Sequence, residues 1–214
     1  MALVDYLIKK GVLKNPKLIS AFRVVDRKDF TPADIENFAY ADEPLPIGEG
    51  QTISQPWTVA FMLELLNPGP GENILEIGYG SGWQTALLAY TGANVYAVER
   101  VPRLCKWGRG NVAKYKFKNV KFFCQDGTAG LPEVAEPIGG FDKIIAAAAA
   151  APTGSVGAAI NLLPDAWREQ LKVGGKIVAP IGHSIFEFIK KSRAELSSVE
   201  HGGFAFVPLV SENG

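Results

Sequence analysis

Residues 73–90 read NILEIGYGSGWQTALLAY, an apolar run followed by three alternating glycines and then by a second apolar stretch. Residues 73–77 have the length and composition of a buried β-strand, and residues 83–90 those of a helix. Glycines between a strand and a helix allow the backbone to approach a ligand closely. The segment therefore predicts a strand, a ligand-binding loop and a helix, although such a glycine cluster can also be only a tight turn.

Downstream of this segment, apolar runs alternate with helical stretches. We predict strands over 93–98, 120–124, 141–146 and 176–180, and helices over 103–115 and up to Lys172, before a turn at Gly174 and Gly175. Strands separated by helices indicate an α/β fold with a doubly wound, mostly parallel, Rossmann-like sheet and helices on both faces. A last strand over 205–210 is expected to pair antiparallel at an edge of the sheet.

The first third of the chain reads as short helices. One is predicted over 2–10, a second begins at Pro16 with Asn15 as its cap, and a third begins at Thr31. We expect one domain over residues 1–214. Within it, 1–56 hold these helices and a loop for substrate and cofactor, and 57–214 form the Rossmann-like core.

Charge and composition exclude several classes of function. Lys plus Arg (22) balance Asp plus Glu (22), and no basic run offers a surface for phosphate backbones, so nucleic acid is not an expected partner. The longest apolar stretch, residues 144–152, is too short to cross a membrane, and no signal-peptide pattern is present. Cys105 and Cys124 read as isolated cysteines without a metal-ligand pattern, which predicts a reducing compartment. We expect a cytoplasmic monomer with no metal and no membrane contact.

The spacing of the glycines narrows the choice of ligand. A dinucleotide fingerprint GxGxxG that starts at Gly78 needs glycine at position 83, which is Trp83, and a P-loop needs a lysine that this loop lacks. The remaining pattern, Glu76 followed by Gly78, Gly80 and Gly82, suits an adenosine ligand without phosphates. S-adenosylmethionine is the obvious candidate.

Two carboxylates support an adenosine ligand. Glu99 ends the next strand, 21 residues after Gly78, where it can accept hydrogen bonds from both ribose hydroxyls. Asp126 follows the third strand, just before Gly127, where it can accept from the adenine amino group. Each has a simpler alternative, because Glu99 can be a solvated charge at a strand end and Asp126 can belong to an Asp-Gly turn.

The predicted acceptor side carries no base. Residues 146–152, after the fourth strand, are six alanines and a proline, which can neither deprotonate an amine nor bind a metal. An acceptor that is already anionic, such as a carboxylate, needs no base, and catalysis then rests on positioning and desolvation. Upstream, Ser54 lies in the polar loop GEGQTISQP, residues 48–56, where it can either donate to a carboxylate or cap the following helix.

These residues resemble the protein-L-isoaspartate O-methyltransferase family over nearly the whole chain. The most specific stretch is GQTISQP, residues 50–56, and further similar stretches are 30–32, 39–48, 75–88, 126–127, 170–182 and 206–209. The resemblance implies S-adenosylmethionine-dependent methylation of the carboxylate of L-isoaspartyl residues in damaged proteins and peptides. That reaction initiates repair through a succinimide.

The resemblance also implies roles for particular residues. Ser54 is the expected catalytic residue facing the acceptor carboxylate, and Thr52, Ile53 and Ser54 are the expected substrate-binding residues. The predicted cofactor-binding residues are Ile53, Glu76, Gly78, Tyr79, Gly80, Gly82, Glu99, Arg100, Asp126 and Gly127. Two other functions stay open: a methyltransferase for a small-molecule carboxylate, and a cofactor-binding protein with weak or lost turnover.

The chain departs from the family pattern at a few positions. Tyr79, Trp83 and Gln125 stand where the family usually has Thr, Tyr and Gly. Residues 151–164 insert about ten residues after the fourth strand, where loops are normally short. We expect residues 153–163 of this insert to form a mobile or partly helical lid near the acceptor, and the alternative is packing on the side of the domain.

Overall fold

The computed structural model describes residues 3–149 and 159–206. The helices are α1 (Leu3–Lys9), α2 (Pro16–Val24), α3 (Pro56–Leu66), α4 (Trp83–Tyr90), α5 (Pro102–Ala113), α6 (Pro132–Ile138) and α7 (Asp165–Gln170). The strands are β1 (Leu45–Gly48), β2 (Gln51–Ile53), β3 (Asn73–Ile77), β4 (Asn94–Glu99), β5 (Val120–Cys124), β6 (Phe141–Ala146), β7 (Leu171–Ile181), β8 (Ser184–Lys190) and β9 (Leu196–Gly202). Short 3-10 helices cover Arg27–Phe30, Ala33–Phe38 and Ala159–Leu162.

In the described part of the chain, seven strands form one sheet in the order β5-β4-β3-β6-β7-β8-β9. Strands β3 to β7 pair in parallel, and β8 and β9 are antiparallel additions at one edge. The direction of winding reverses at β3, which pairs with β4 on one side and with β6 on the other. Ligands of open α/β sheets bind at the carboxyl ends of the strands beside such a switch point. The predicted doubly wound, mostly parallel sheet is confirmed.

Side chains alternate between the two faces of the sheet. On β3, Ile74 belongs to the apolar core under α1 to α5, whereas Leu75 and Ile77 belong to the core under α6 and α7. Successive strand residues point to opposite faces, so a strand covered on both sides is apolar along its whole length. The predicted helices on both faces are confirmed, and the N-terminal helices complete one of the two layers.

Near the glycines, the predicted elements have the observed bounds for β3, α4, β5 and β6. The predicted cap of α2 is also confirmed, because the Asn15 side chain accepts a hydrogen bond of 2.9 Å from the Lys17 amide. The helix start at Thr31 is wrong. The 3-10 helix there begins at Ala33, and the Thr31 hydroxyl is used to donate to the Arg27 carbonyl. The division of the chain between residues 56 and 57 stays a prediction.

Gly174 and Gly175 form a bulge inside the last parallel strand, β7, and not the turn that the sequence predicts. Strand β7 begins at Leu171 and runs through Gly174 and Gly175, and its register with β6 shifts between Phe141 and Lys143. Gly174 has φ of +83°, a conformation that glycine adopts without strain. The glycines therefore accommodate extra residues inside the strand.

The antiparallel edge of the sheet was predicted in the wrong place. It consists of β8 and β9, whereas residues 205–206 lie outside the strands and residues 207–210 are outside the described part of the chain. Strand β9 is mostly exposed on both sides, so it lacks the apolar alternation by which strands are found.

The C-terminal part of the insert packs on the side of the domain. Ala159–Leu162 form a 3-10 helix, and Ile160, Leu162 and Leu163 contact the core under α6 and α7. This favours the packing alternative for these residues. Residues 153–158, which the lid prediction also covers, are outside the described part of the chain.

Cys105 and Cys124 form a disulfide between the first half of α5 and the end of β5. The expectation of two isolated cysteines is therefore wrong, because residues 19 apart in sequence meet where the helix passes the strand end. The cytoplasmic location inferred from unpaired cysteines has no support from them. Over residues 3–149 and 159–206, the helices are too short or too polar to span a bilayer.

The glycine loop packs directly on α5 at Gly108. A methyl group on Gly108 would overlap the Gly80 carbonyl oxygen and lie 3.0 Å from the Tyr79 ring. Gly→Ala in a helix normally stabilises by about 1 kcal/mol. We expect Gly108→Ala to destabilise instead, by roughly 1–3 kcal/mol, because the overpacked contact is with backbone. The free energy of unfolding in urea measures the change.

Gly110→Ala is the matched control in the same helix. Gly110 is exposed, and a methyl group there meets nothing within 4 Å. This variant should be neutral or more stable by up to about 1 kcal/mol. Equal effects of the two substitutions would contradict a close contact between α5 and the glycine loop.

Candidate functional site

The glycine loop after β3 opens its backbone toward a pocket at the carboxyl edge of the sheet. Gly78 and Gly80 line this pocket and have φ of +78° and +49°. Glycine, which has no Cβ, adopts these backbone angles at little steric cost. The amides of Gly78 and Tyr79 donate to the Val98 carbonyl, at 2.8 and 3.2 Å. These hydrogen bonds fix the loop to the end of the neighbouring strand β4.

The Glu99 carboxylate is held in place by backbone amides. Its Oε2 accepts from Gly80 N at 3.0 Å, and its Oε1 accepts from Arg100 N and Val101 N, both at 2.9 Å. Glu99 is only 7% exposed, so the alternative of a solvated charge is wrong. Each carboxylate oxygen has two lone pairs, and Oε2 therefore retains capacity to accept from a ligand hydroxyl.

These residues border one cavity, the glycine-loop pocket. It is lined by Ile47, Gln51, Thr52, Ile77, Gly78, Gly80, Val98, Glu99, Arg100, Val101, Leu104, Gly127, Ala147 and Ala148. The structure thus brings together five of the predicted cofactor residues: Gly78, Gly80, Glu99, Arg100 and Gly127. Gly127 closes one wall tightly, since a methyl group there would lie 2.7 Å from Ile77 Cγ2.

The sequence reading missed the apolar walls of the pocket. Ile47 and Gln51 come from the β1–β2 hairpin, Val101 and Leu104 from the start of α5 and the loop before it, and Ala147 from the end of β6. The hairpin's second strand falls within the family-like stretch 50–56, but no local pattern places Ile47, in its first strand, beside the glycines. Its Pro46–Gly48 irregularity and short strands gave no periodic signal.

Two predicted cofactor residues, Glu76 and Tyr79, are absent from the lining of the glycine-loop pocket and have other side-chain contacts. Glu76 is fully buried and accepts from the Thr85 hydroxyl at 2.6 Å and from the Gln84 amide at 3.2 Å. Burial raises the pKa of Glu76 to about 7. The Tyr79 hydroxyl donates to the Cys105 carbonyl at 2.9 Å. These two side chains therefore tie the loop to α4 and α5.

Gly82 and Asp126 also have local contacts. A methyl group on Gly82 would lie 2.7 Å from Val112 Cγ2, so this glycine serves the packing of the loop on α5. Asp126 Oδ1 accepts from both the amide and the hydroxyl of Thr128, each at 2.8 Å. That is the predicted Asp-Gly turn, and the adenine contact of Asp126 stays a prediction.

Ser54 lies between the glycine-loop pocket and a second cavity, the aromatic pocket. The latter is lined by Pro44, Thr52, Ser54, Gln55, Trp57, Thr58, Ala147, Gly203, Phe204, Ala205 and Phe206. Thr52 and Ala147 line both pockets, and a small cavity between them is bordered by Ile53, Ser54 and Gly78. The three predicted substrate residues are therefore located where the two pockets meet.

The Ser54 hydroxyl does not cap α3. That helix begins at Pro56, its N-cap is Gln55, and neither Gln55 nor Ser54 makes a side-chain capping hydrogen bond in the described part of the chain. The capping alternative is therefore wrong, and the hydroxyl is available to a ligand. The start of α3 is fixed instead by Asp42, which accepts from the Trp57 amide at 2.8 Å.

Among the described residues that line the aromatic pocket, none has an ionisable side chain. Its wall is a set of rings in which Trp57 and Phe204 lie 5.9 Å apart, and each is 5.3 Å from Phe61. Over residues 3–149 and 159–206 no group of three or more His, Cys, Asp or Glu could hold a metal ion. The pocket can exclude water and orient a ligand, but offers no base.

A doubly wound sheet with a glycine loop after its first parallel strand and a buried acid ending the next strand defines a Rossmann-like protein with a site for an adenosine-containing ligand. A family model described as Protein-L-isoaspartate(D-aspartate) O-methyltransferase (PCMT) matches residues 1–214. The chain belongs to this protein-L-isoaspartate O-methyltransferase family.

Two relatives are similar in sequence to this chain over nearly its whole length. A protein-L-isoaspartate O-methyltransferase of Pyrococcus horikoshii is 38% identical over 217 residues, covering 99% of this chain and 92% of that protein. The one of Methanospirillum hungatei is 40% identical over 215 residues, covering 99% and 93%.

Solved structures have the same fold. One named protein-L-isoaspartate O-methyltransferase is 27% identical, with a TM-score of 0.82, covering 99% of this chain and 66% of that chain. A Plasmodium falciparum protein in complex with S-adenosyl-L-homocysteine is 24% identical, with a TM-score of 0.81, covering 97% and 96%.

Proposed function

We propose that this chain binds S-adenosylmethionine in the glycine-loop pocket and methylates the carboxylate of L-isoaspartyl residues in damaged proteins and peptides. The observation that carries the proposal is the junction of two pockets at Thr52 and Ala147, with the Ser54 hydroxyl, which has no hydrogen-bond partner among the described residues, on the acceptor side. The methyl ester then initiates repair through a succinimide. Family membership supports both the cofactor and the acceptor class.

The residues of the glycine-loop pocket fit S-adenosylmethionine. Glu99 Oε2 can accept from a ribose hydroxyl, and Val98, Val101 and Leu104 provide apolar surface for the adenine ring. Arg100 is the one cation among the described lining residues, too few for a polyphosphate. When bound, the cofactor supplies a methyl group on a sulfonium, which an oxygen nucleophile can accept directly.

On the acceptor side, the chain's task is to position and desolvate a carboxylate. Carboxylates are ionised at neutral pH, so no base is needed. The Ser54 hydroxyl donates a hydrogen bond that orients the carboxylate, and the rings of Trp57 and Phe204 keep water away from it. Water exclusion strengthens such contacts and leaves the oxygen less solvated.

The partners follow from the same features. We propose that the chain acts as a monomer on isoaspartyl peptides and proteins and does not act on nucleic acid. The balance of 22 basic and 22 acidic residues supports the absence of a nucleic-acid partner, because it provides no field that attracts phosphate backbones.

Glu99→Gln should weaken binding of S-adenosylmethionine by about tenfold or more, because a hydrogen bond to a charged group contributes about 1.5–3 kcal/mol. The amide also presents an N–H to backbone donors that now meet a carboxylate oxygen. Titration calorimetry measures the affinity. Glu133→Gln, at an exposed acid in the first turn of α6, is the control and should leave it unchanged. Equal affinities of both variants would contradict the ribose contact.

Ser54→Ala should reduce methyl transfer by about 10–100-fold without loss of cofactor binding, the effect of one hydrogen bond that orients the reacting group. Single-turnover rates with preloaded cofactor, together with calorimetry, separate the two effects. A methylated Ser54 found during turnover would contradict the orienting role and indicate a covalent one.

The acceptor class is tested with a peptide that contains L-isoaspartate and its twin with normal aspartate. Radiolabelled methyl groups should enter the isoaspartyl peptide at least about 100-fold faster, since only the isoaspartyl residue has its free carboxylate attached directly to Cα. Equal rates, or transfer only to small carboxylic acids, would favour the metabolite methyltransferase. Tight cofactor binding without any transfer would favour lost turnover.

A further inference from the structure

Arg27 is the buried cation of the N-terminal layer, with an exposed fraction of 1%. Among the described residues its guanidinium donates only to main-chain oxygens: from Nη1 to Ala39 (2.8 Å) and Ala41 (3.1 Å), and from Nη2 to Glu43 (2.9 Å) and Ser54 (3.1 Å). Hydrogen bonds from an ionised donor are roughly twice as strong as neutral ones. One side chain thus fixes residues 39–54, the Ser54 segment, at four points.

The same guanidinium also contacts the residue that follows the glycine loop. Its central carbon lies 5.3 Å from the ring centroid of Trp83, the first residue of α4 after Gly82. Trp83 is 2% exposed, and Phe22 packs edge-on against it at 5.5 Å. The Trp83 ring is therefore fixed. The Arg27 guanidinium is positioned both by the carbonyls of the Ser54 segment and by this ring at the start of α4.

Burial of this charge has a cost that the contacts must offset. It lowers the pKa of Arg27 to about 10, against the opposing effect of Asp42, so the side chain is still cationic at neutral pH. Its Nε is buried and has no hydrogen-bond partner in the described part of the chain. An unpaired buried donor is costly. The position of the guanidinium therefore satisfies the four carbonyl contacts and the ring contact at the expense of Nε.

We propose that Arg27 is a positioning residue that sets the Ser54 segment against the glycine loop. It touches neither pocket, but it links the carbonyl of Ser54 to the residue that follows the loop. Misplacement of a reacting group by about 1 Å can cost 100-fold in rate. Arg27 therefore governs the alignment of acceptor and donor more than the affinity for either. This inference rests on the proposed function.

Arg27→Lys tests the proposal because lysine retains the charge but has three donors on one atom and no planar face. We expect the single-turnover rate of isoaspartyl methylation to fall by about 10–100-fold, while the dissociation constant of S-adenosylmethionine changes by less than about threefold. Amide hydrogen exchange in residues 39–54 should become faster by about tenfold or more. Calorimetry and mass spectrometry provide the last two measurements.

Lys190→Met is the matched control for lost stability. Lys190 is also buried, and its Nζ donates to the carbonyls of Arg168 and Leu171 near the amino end of β7, opposite the glycine loop. It should lower the melting temperature without changing the transfer rate or the exchange of residues 39–54. A fall in rate that merely follows stability in both variants would overturn the positioning role.

The two proposals fail in different ways. If the wild type does not methylate the isoaspartyl peptide, the proposed function is wrong, and hydrogen exchange still tests Arg27. If the wild type is active and Arg27→Lys leaves the rate or the exchange unchanged, the positioning role is wrong. Should Arg27→Lys not fold, Trp83→Phe shrinks the ring face and keeps the carbonyl contacts. It should slow transfer by about threefold or more, and an unchanged rate overturns the proposal.

Discussion

One buried carboxylate, that of Glu99, holds together the parts of the glycine-loop pocket. It accepts hydrogen bonds from three backbone amides, one in the loop and two in the residues that lead into α5. A charge this deeply buried is stable only because those donors solvate it. The loop geometry, the start of α5 and the position of the pocket floor therefore depend on the same group. A ligand hydroxyl that reaches Oε2 finds an acceptor already oriented and desolvated.

The two pockets divide the chemistry between them. Polar contacts are concentrated around the glycine loop, whereas the aromatic pocket is built from Trp57, Phe204 and neighbouring rings. The acceptor is an anion and needs no proton removed, so a pocket without a base is suited to it. Under the proposed function, the rate depends on where Ser54 stands relative to the loop. The proposed positioning role of Arg27, which lies outside both pockets, rests on the same requirement.

Much of the fold follows from local sequence, because the parallel strands are covered on both faces and read as apolar runs. Glu99 could be predicted for the same reason, since its position is set by the length of β4. The edge strand β9 could not, because its side chains are mostly exposed and no alternation marks them. The Cys105–Cys124 pairing and the hairpin wall from Ile47 depend on contacts distant in sequence. Glu76 is predicted from the sequence to bind the cofactor, but the alternation of β3 turns its carboxylate toward α4.

The order of elements along the chain has a consequence for synthesis on the ribosome. Helix α3 packs against β7 and β8, yet it ends at Leu66 and β7 begins at Leu171. At about 5–20 residues per second, the apolar face of α3 waits roughly 5–20 s for its partner strands to be made. Helix α3 also contacts α1 and α2, which are made before it, but its contacts with β7 and β8 form only after that delay. The segment that carries Ser54 is thus made early but acquires its final support late, when the far edge of the sheet emerges.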